Sequence, residues 1–170
     1  MNSSQKIIAF AILVIISASC KTNTFAFLDS YPVINLPIID STSFSNHIEG
    51  KLLSKQEQKK LGLETVFGEQ LANEKAKIGV SYLPKISEKF TSVVYYFYSS
   101  NTELISMLVN YDTDFKVINS QMVAYDEIAD NLLHSISTIY TDKIVLKEFI
   151  SENASIIKFD VLEDGNITRE

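Results

Sequence analysis

One cysteine, no tryptophan, five glycines and two histidines in 170 residues leave this chain short of the parts from which many sites are built. Without a thiol beyond Cys20 there is no intrachain disulfide, no cysteine metal cluster and no cysteine nucleophile elsewhere in the chain. So few glycines supply neither a glycine-rich phosphate loop nor a glycine-flanked serine elbow. Lack of tryptophan removes the residue best suited to stacking on sugars. No tract of one charge sign occurs either, because lysines such as Lys51, Lys55, Lys59, Lys60, Lys75 and Lys77 are interspersed with glutamates. With a net charge of −6, the surface is a poor match for nucleic acid.

The longest apolar run, Ile7 to Ile16, follows Lys6 at the start of the chain and ends at Ser17-Ala18-Ser19. About twenty apolar residues are needed to span a bilayer at helical rise, so this run is too short for an anchor. A basic end, a short apolar core and small residues are the parts of a secretory signal, expected over residues 1–19. Cys20 directly behind Ser17-Ala18-Ser19 resembles the lipobox of bacterial lipoproteins, although an aliphatic residue is commoner where Ser17 stands. Ordinary signal cleavage near Ser19 or Ala26 is the other reading these residues allow. The resemblance implies that Cys20 carries diacylglyceryl and palmitoyl groups and becomes the first mature residue. It further implies attachment to the membrane through that lipid. Lys21 behind the cysteine, in place of aspartate, implies the outer membrane, and the lack of a following acidic cluster implies a domain facing the periplasm.

Residues 20–29 then read as a tether and residues 30–170 as a single β-rich domain. Roughly 150 residues suffice for one core that buries about two thirds of the unfolded surface. Tyr31 to Asp40 contains two prolines among Val33, Ile34, Leu36, Ile38 and Ile39, so it is expected as an extended edge segment, followed by a loop from Ser41 to Gly50. Ser54 with Glu57 has capping-box spacing and predicts a helix over 55–61 ending at Gly62. Helical spacing of Leu63, Val66, Phe67, Gln70 and Leu71 predicts a second helix reaching Ala76, weakened at Gly68.

From Phe90 onwards β-branched and aromatic runs alternate with turn residues. Strands are expected over 91–98, 104–111, 115–125, 135–140, 143–149 and 156–162. Thr141-Asp142, Asp112-Thr113-Asp114 and Asp164-Gly165 are turn chemistry, and such short links join only antiparallel neighbours. The expected fold is α+β: an antiparallel meander of five to six strands in the C-terminal half, with one or two short helices before it. This order of elements resembles small exported lipoproteins of the Bacteroidota, a likeness of layout that implies no activity.

Side chains with chemical potential are few. Tyr125-Asp126-Glu127-Ile128-Ala129-Asp130 is the densest carboxylate group, but it lacks a calcium loop's glycine and ligand count and is read as a surface loop. Asp112 and Asp114 flank a turn, where aspartate bonds its own backbone. His47 falls in a loop, and His134 near a strand start precedes Ser135 without any triad spacing. Val94-Tyr95-Tyr96-Phe97-Tyr98 is expected to be buried on both faces of a central strand. No catalytic residue, metal ligand or cofactor is therefore assigned, and the one site residue is Cys20. The sequence points to a lipid-anchored binding or accessory module with a partner protein or ligand in the envelope. The alternatives are an envelope hydrolase or metal-dependent enzyme using Asp112, Asp126 and His134, or an inhibitor that inserts a loop into another enzyme.

Overall fold

In a computed structural model of the chain, residues 25–128 and 133–170 are described; the signal, the lipobox, Cys20, Ala129 and Asp130 lie outside them. Residues up to Ser30 and residues 31–170 form two separate compact units. Of the first, the described part is a short 3₁₀ turn over Ala26–Ser30, in which the Ser30 hydroxyl donates to the Phe27 carbonyl at 2.7 Å. Among the described residues no helix is long and apolar enough to cross a membrane.

The second unit is mostly β, with an open, mixed sheet of about ten strands. Its elements run β1 (Val33–Ile34), β2 (Ile38–Asp40), α1 (Lys55–Lys60), α2 (Leu63–Phe67), a 3₁₀ turn (Gly68–Ala72), β3 (Lys77–Pro84), β4 (Thr91–Tyr98), β5 (Glu103–Tyr111), β6 (Val117–Glu127), β7 (Leu133–Ile139), β8 (Lys143–Ile150), β9 (Asn153–Val161) and β10 (Ile167–Arg169). From β3 to β10 every strand lies beside its neighbour in sequence, antiparallel throughout, as the short turns require. The meander is longer than expected by β3 and β10. Thr141-Asp142 closes a two-residue hairpin, with the Tyr140 amide donating to the Lys143 carbonyl at 2.8 Å. In the other turn the Asp112 carboxylate accepts the amides of Asp114 and Lys116, so aspartate serves the backbone there.

The helices are shorter than their sequence spacing suggests. Ser54 and Glu57 form the reciprocal capping box that starts α1, and Gly62 at φ 63° ends it in a left-handed conformation that costs a side chain dearly. Gly68, at φ 52°, stops α2 after Phe67, so helical structure does not continue to Ala76. Leu61, Leu63, Phe67 and Leu71 are nevertheless buried, as the spacing demands. They cover one face of the sheet, where Phe67 meets Phe97 at 4.5 Å between ring centroids. Each such side chain contributes about 1.5–3 kcal/mol through burial.

β4 is buried on both faces. Val93, Tyr95 and Phe97 share the helix-covered side with Ile78 and Val80 of β3, to which Phe97 and Tyr95 pair. Tyr95 and Tyr111 satisfy each other's buried hydroxyls at 3.0 Å. The opposite face looks onto the second half of the sheet, because β6 and β7 pair only at Tyr125–Ser135 and Asp126–His134 before separating. Beyond that fork β2 takes the place of β6 beside β7, with Ile38 opposite Ile139 and Asp40 opposite Ser137. The sheet thereby folds back, and Val94, Leu108 and Val123 pack with Ile38, Ile139 and Ile144 in a shared core.

Candidate functional site

Period-two alternation in β2 points Ile38 and Asp40 inward and Ile39 outward. A carboxylate thus enters the seam between the two halves of the sheet, 3% exposed. Burying it is costly unless its oxygens are bonded. Asp40 Oδ2 accepts the Tyr82 hydroxyl at 2.7 Å and the Ser106 hydroxyl at 2.8 Å, and Oδ1 accepts the Thr42 amide at 3.0 Å. Tyr82 can reach it because β3 is irregular between Val80 and Tyr82, which turns Tyr82 to the inner face beside Val94. Burial, and then the Asp40 charge, push the Tyr82 phenol far above its usual range.

The loop after Asp40 is shaped by its own polar residues. Asn46 accepts the Ser43 amide at 2.9 Å and donates to the Ser41 carbonyl at 2.8 Å, while the His47 amide donates to the Ser43 carbonyl at 2.8 Å. Asp126 holds the loop from across the sheet by accepting the Phe44 amide at 2.8 Å. His47 is thereby laid over Tyr96, 4.5 Å between centroids, and 5.8 Å from Tyr98. Tyr96 itself reaches across β3 to donate to the Gly50 carbonyl at 2.9 Å. This reach explains Gly79: a Cβ there would stand 2.3 Å from the Tyr96 hydroxyl oxygen.

Together these residues enclose a concavity of about 420 Å³ lined by Tyr31, Asn46, His47, Ser81, Tyr82 and Tyr96. His47 Nε2 and Ser81 Oγ are buried and have no hydrogen-bond partner among the described residues. Polar atoms so placed usually have one. Burial holds the His47 imidazole below its ordinary value of 6.5, outweighing the opposing pull of the Glu49 and Asp40 charges, so it is neutral at neutral pH. Burial pushes the Tyr96 phenol up to about 12, with Glu49 adding to the shift. His47 and Ser81 thus line the concavity beside the rings of Tyr31, Tyr82 and Tyr96, with their Nε2 and Oγ atoms unpartnered among the described residues. Among the described residues no hydrogen bond links Ser81 to His47, or His47 to Asp40.

A larger concavity of about 680 Å³ lies between α1–α2 and the start of β6 and carries Lys59, Lys60 and Lys116. None of its side chains presents a buried, unpartnered polar atom, so it has weaker claims as a built site.

The residues named from sequence do not assemble. Asp112 sits in the turn before β6 while Asp126 and His134 meet at its far end, about 30 Å of strand away. His134 stacks on Phe149 at 4.4 Å. Tyr125, Asp126 and Glu127 belong to β6 itself, which corrects the reading of that group as a surface loop: Asp126 pins the loop carrying His47, and the Tyr125 hydroxyl contacts Glu103 and Glu127. Among the described residues no group of three acidic, histidine or cysteine side chains is arranged to hold a metal ion. Asp40, Ser81 and Tyr82 were not singled out from sequence. For Asp40 there was a signal, its position in phase with Ile38. For Ser81 and Tyr82 the signal was missing, because their strand was not expected.

No protein family, characterised protein or solved structure matches the chain.

Proposed function

We propose that this protein is a lipid-anchored binding module of the bacterial envelope, held through Cys20 at the outer membrane facing the periplasm, and that it captures a small ligand in the His47 concavity. The anchor rests on the Lys6, Ile7–Ile16 and Ser17–Cys20 pattern. One observation carries the ligand reading: His47 Nε2 and Ser81 Oγ stand buried and unpartnered in an aromatic-lined concavity. Leaving such atoms unpaired costs about 1–3 kcal/mol each, a cost that a ligand bonding both would remove. Binding is favoured over catalysis because the serine and histidine are not bonded to one another.

Two experiments test the two parts. Labelling with a palmitate analogue, followed by membrane fractionation, should mark the wild type and not Cys20→Ser; equal labelling, or none in either, removes the anchor. For the site, saturation-transfer NMR with phenol and with N-acetylglucosamine as probes should give contacts that disappear in the His47→Ala/Ser81→Ala variant. Contacts that persist in that variant, or silence from both probes, would count against the concavity as a small-ligand site.

A further inference from the structure

Most polar groups on the wall of the His47 concavity are already engaged within the chain. Tyr82 donates its hydroxyl to Asp40 at 2.7 Å and Tyr96 donates to the Gly50 carbonyl at 2.9 Å, so neither phenol has a proton left for a ligand. Asn46 is engaged likewise, its oxygen accepting the Ser43 amide and its nitrogen donating to the Ser41 carbonyl. On this wall the buried polar atoms without a partner among the described residues are His47 Nε2 and Ser81 Oγ.

Hydrogen bonding by itself suits a donating or an accepting ligand, because a serine hydroxyl does both and a neutral imidazole does either at Nε2 according to its tautomer. Charge separates the two. No lysine or arginine lines the concavity, and the lysines of the adjoining segments are engaged by carboxylates, Lys51 with Glu57 at 3.6 Å and Lys77 with Glu49 at 3.3 Å. Asp40 differs: among the described residues no cation stands within ion-pair distance, and its partners are two hydroxyls and an amide. It lies one hydrogen bond behind the wall, since Thr42 and Tyr82, which bond it, both line the concavity. Its charge reaches His47, where with that of Glu49 it opposes the effect of burial. A buried carboxylate without a counter-ion repels an anion and attracts a cation across low-dielectric protein. Tyrosine rings, of which Tyr31, Tyr82 and Tyr96 line the concavity, also hold cations better than anions.

Resting on the small-ligand reading of this concavity, we propose that its ligand is a small amine bound as the ammonium ion, giving one N–H to His47 Nε2 and another to Ser81 Oγ, with Asp40 behind the wall supplying the opposing charge. His47 then carries its own proton on Nδ1. An acid or a phosphate ester would face Asp40 with no cation to offset it. A neutral alcohol would pair the same two atoms and gain nothing from the charge.

The test compares four benzyl probes on the full chain at neutral pH. By saturation-transfer NMR, benzylamine, protonated under these conditions, should bind about tenfold or more tightly than benzyl alcohol, and benzoate should give no contacts. Benzyltrimethylammonium, which has the charge but no N–H, should bind more weakly than benzylamine. His47→Ala/Ser81→Ala should abolish the benzylamine contacts, and Asp40→Asn should bring benzylamine and benzyl alcohol to similar affinities. The wild-type comparison decides even if Asp40→Asn fails to fold. Equal binding of amine and alcohol by the wild type, binding of benzoate, equal binding of the trimethyl probe, or a preference unchanged in Asp40→Asn overturns the inference. So do amine contacts that survive in the double variant, as they would for loose attraction to an acidic surface. If the alcohol still needs His47 and Ser81, the small-ligand site stands without the inference, whereas silence from every probe overturns the site itself.

Discussion

Adding one methyl group at Gly79 tests how the ligand concavity is built. The new Cβ would lie 2.3, 2.4 and 2.5 Å from the hydroxyl oxygen, Cζ and Cε1 of Tyr96, far inside contact distance. The ring is not free to yield, because its hydroxyl bonds the Gly50 carbonyl at 2.9 Å and His47 lies 4.5 Å above it. Displacing it forfeits that hydrogen bond, about 1 kcal/mol, and adds overpacking strain of about 1–3 kcal/mol. Against this, replacing glycine where φ is not left-handed stabilises by about 0.4–1 kcal/mol through the unfolded chain. Gly79→Ala should therefore destabilise by about 2 kcal/mol and lower the melting temperature by about 4–8 °C. Swinging the ring outward should also bring the Tyr96 phenol down from about 12 towards 10, followed by ultraviolet titration with Tyr96→Phe to assign the signal. Truncating the ring should remove the clash, so in a Tyr96→Leu background Gly79→Ala should cost little. An unchanged melting temperature together with an unchanged tyrosine titration would refute this packing.

Further expectations concern the seam, the cap and the histidine. Asp40→Ala leaves the Tyr82 and Ser106 hydroxyls and the Thr42 amide without their acceptor and should cost about 3 kcal/mol in urea denaturation, whereas Asp40→Asn, which keeps an acceptor, should cost about 1 kcal/mol. Equal losses would show that the carboxylate is not the acceptor. Ser54→Ala removes one half of the capping box and should cost about 1 kcal/mol; an unmoved denaturation midpoint would mean that α1 does not depend on it. Because the His47 imidazole is held below 6.5 in the folded chain, the unfolded chain binds a proton first as pH falls. Stability should then drop on acidification from about 6.5, and His47→Gln should remove that component of the drop. Parallel stability curves for the two proteins would contradict the burial of the imidazole.

How much of this was readable from the chain varies with the range of the physics involved. Strand β4 was placed residue for residue and β5 to within one, because aromatic and β-branched runs bounded by turn residues are a local signal. Turns at Asp112, Thr141-Asp142 and Asp164-Gly165, and the cap at Ser54, are likewise decided by side chains bonding backbone within a few residues. Lys77–Pro84 escaped because its glycine and final proline dilute the strand pattern, and its pairing with β4 supplies what local propensity lacks. Gly79 reads as a weakness in a strand until Tyr96 is seen lying across it. β10 is too short to leave a pattern, and only its pairing with β9 defines it. The helical spacing after Leu63 is real as a record of burial, yet Gly68 ends the helix that it implies.

The sequence alone determined a β-rich domain, expected as α+β, with a capped helix, a meander joined by tight turns and no intrachain disulfide, since each of these depends on near neighbours or on composition; that the chain is mostly β, with about ten strands, came from the structure. Only the tertiary structure decided which polar side chains meet. Asp40, Tyr82 and Ser106 are far apart in the chain and come together because β6 and β7 fork, letting β2 pair with β7 and fold the two halves of the sheet face to face. The edge of β9 has the same origin: among the described residues, whether a strand has a neighbour is a property of the whole sheet, set by where β10 stops rather than by any residue within β9.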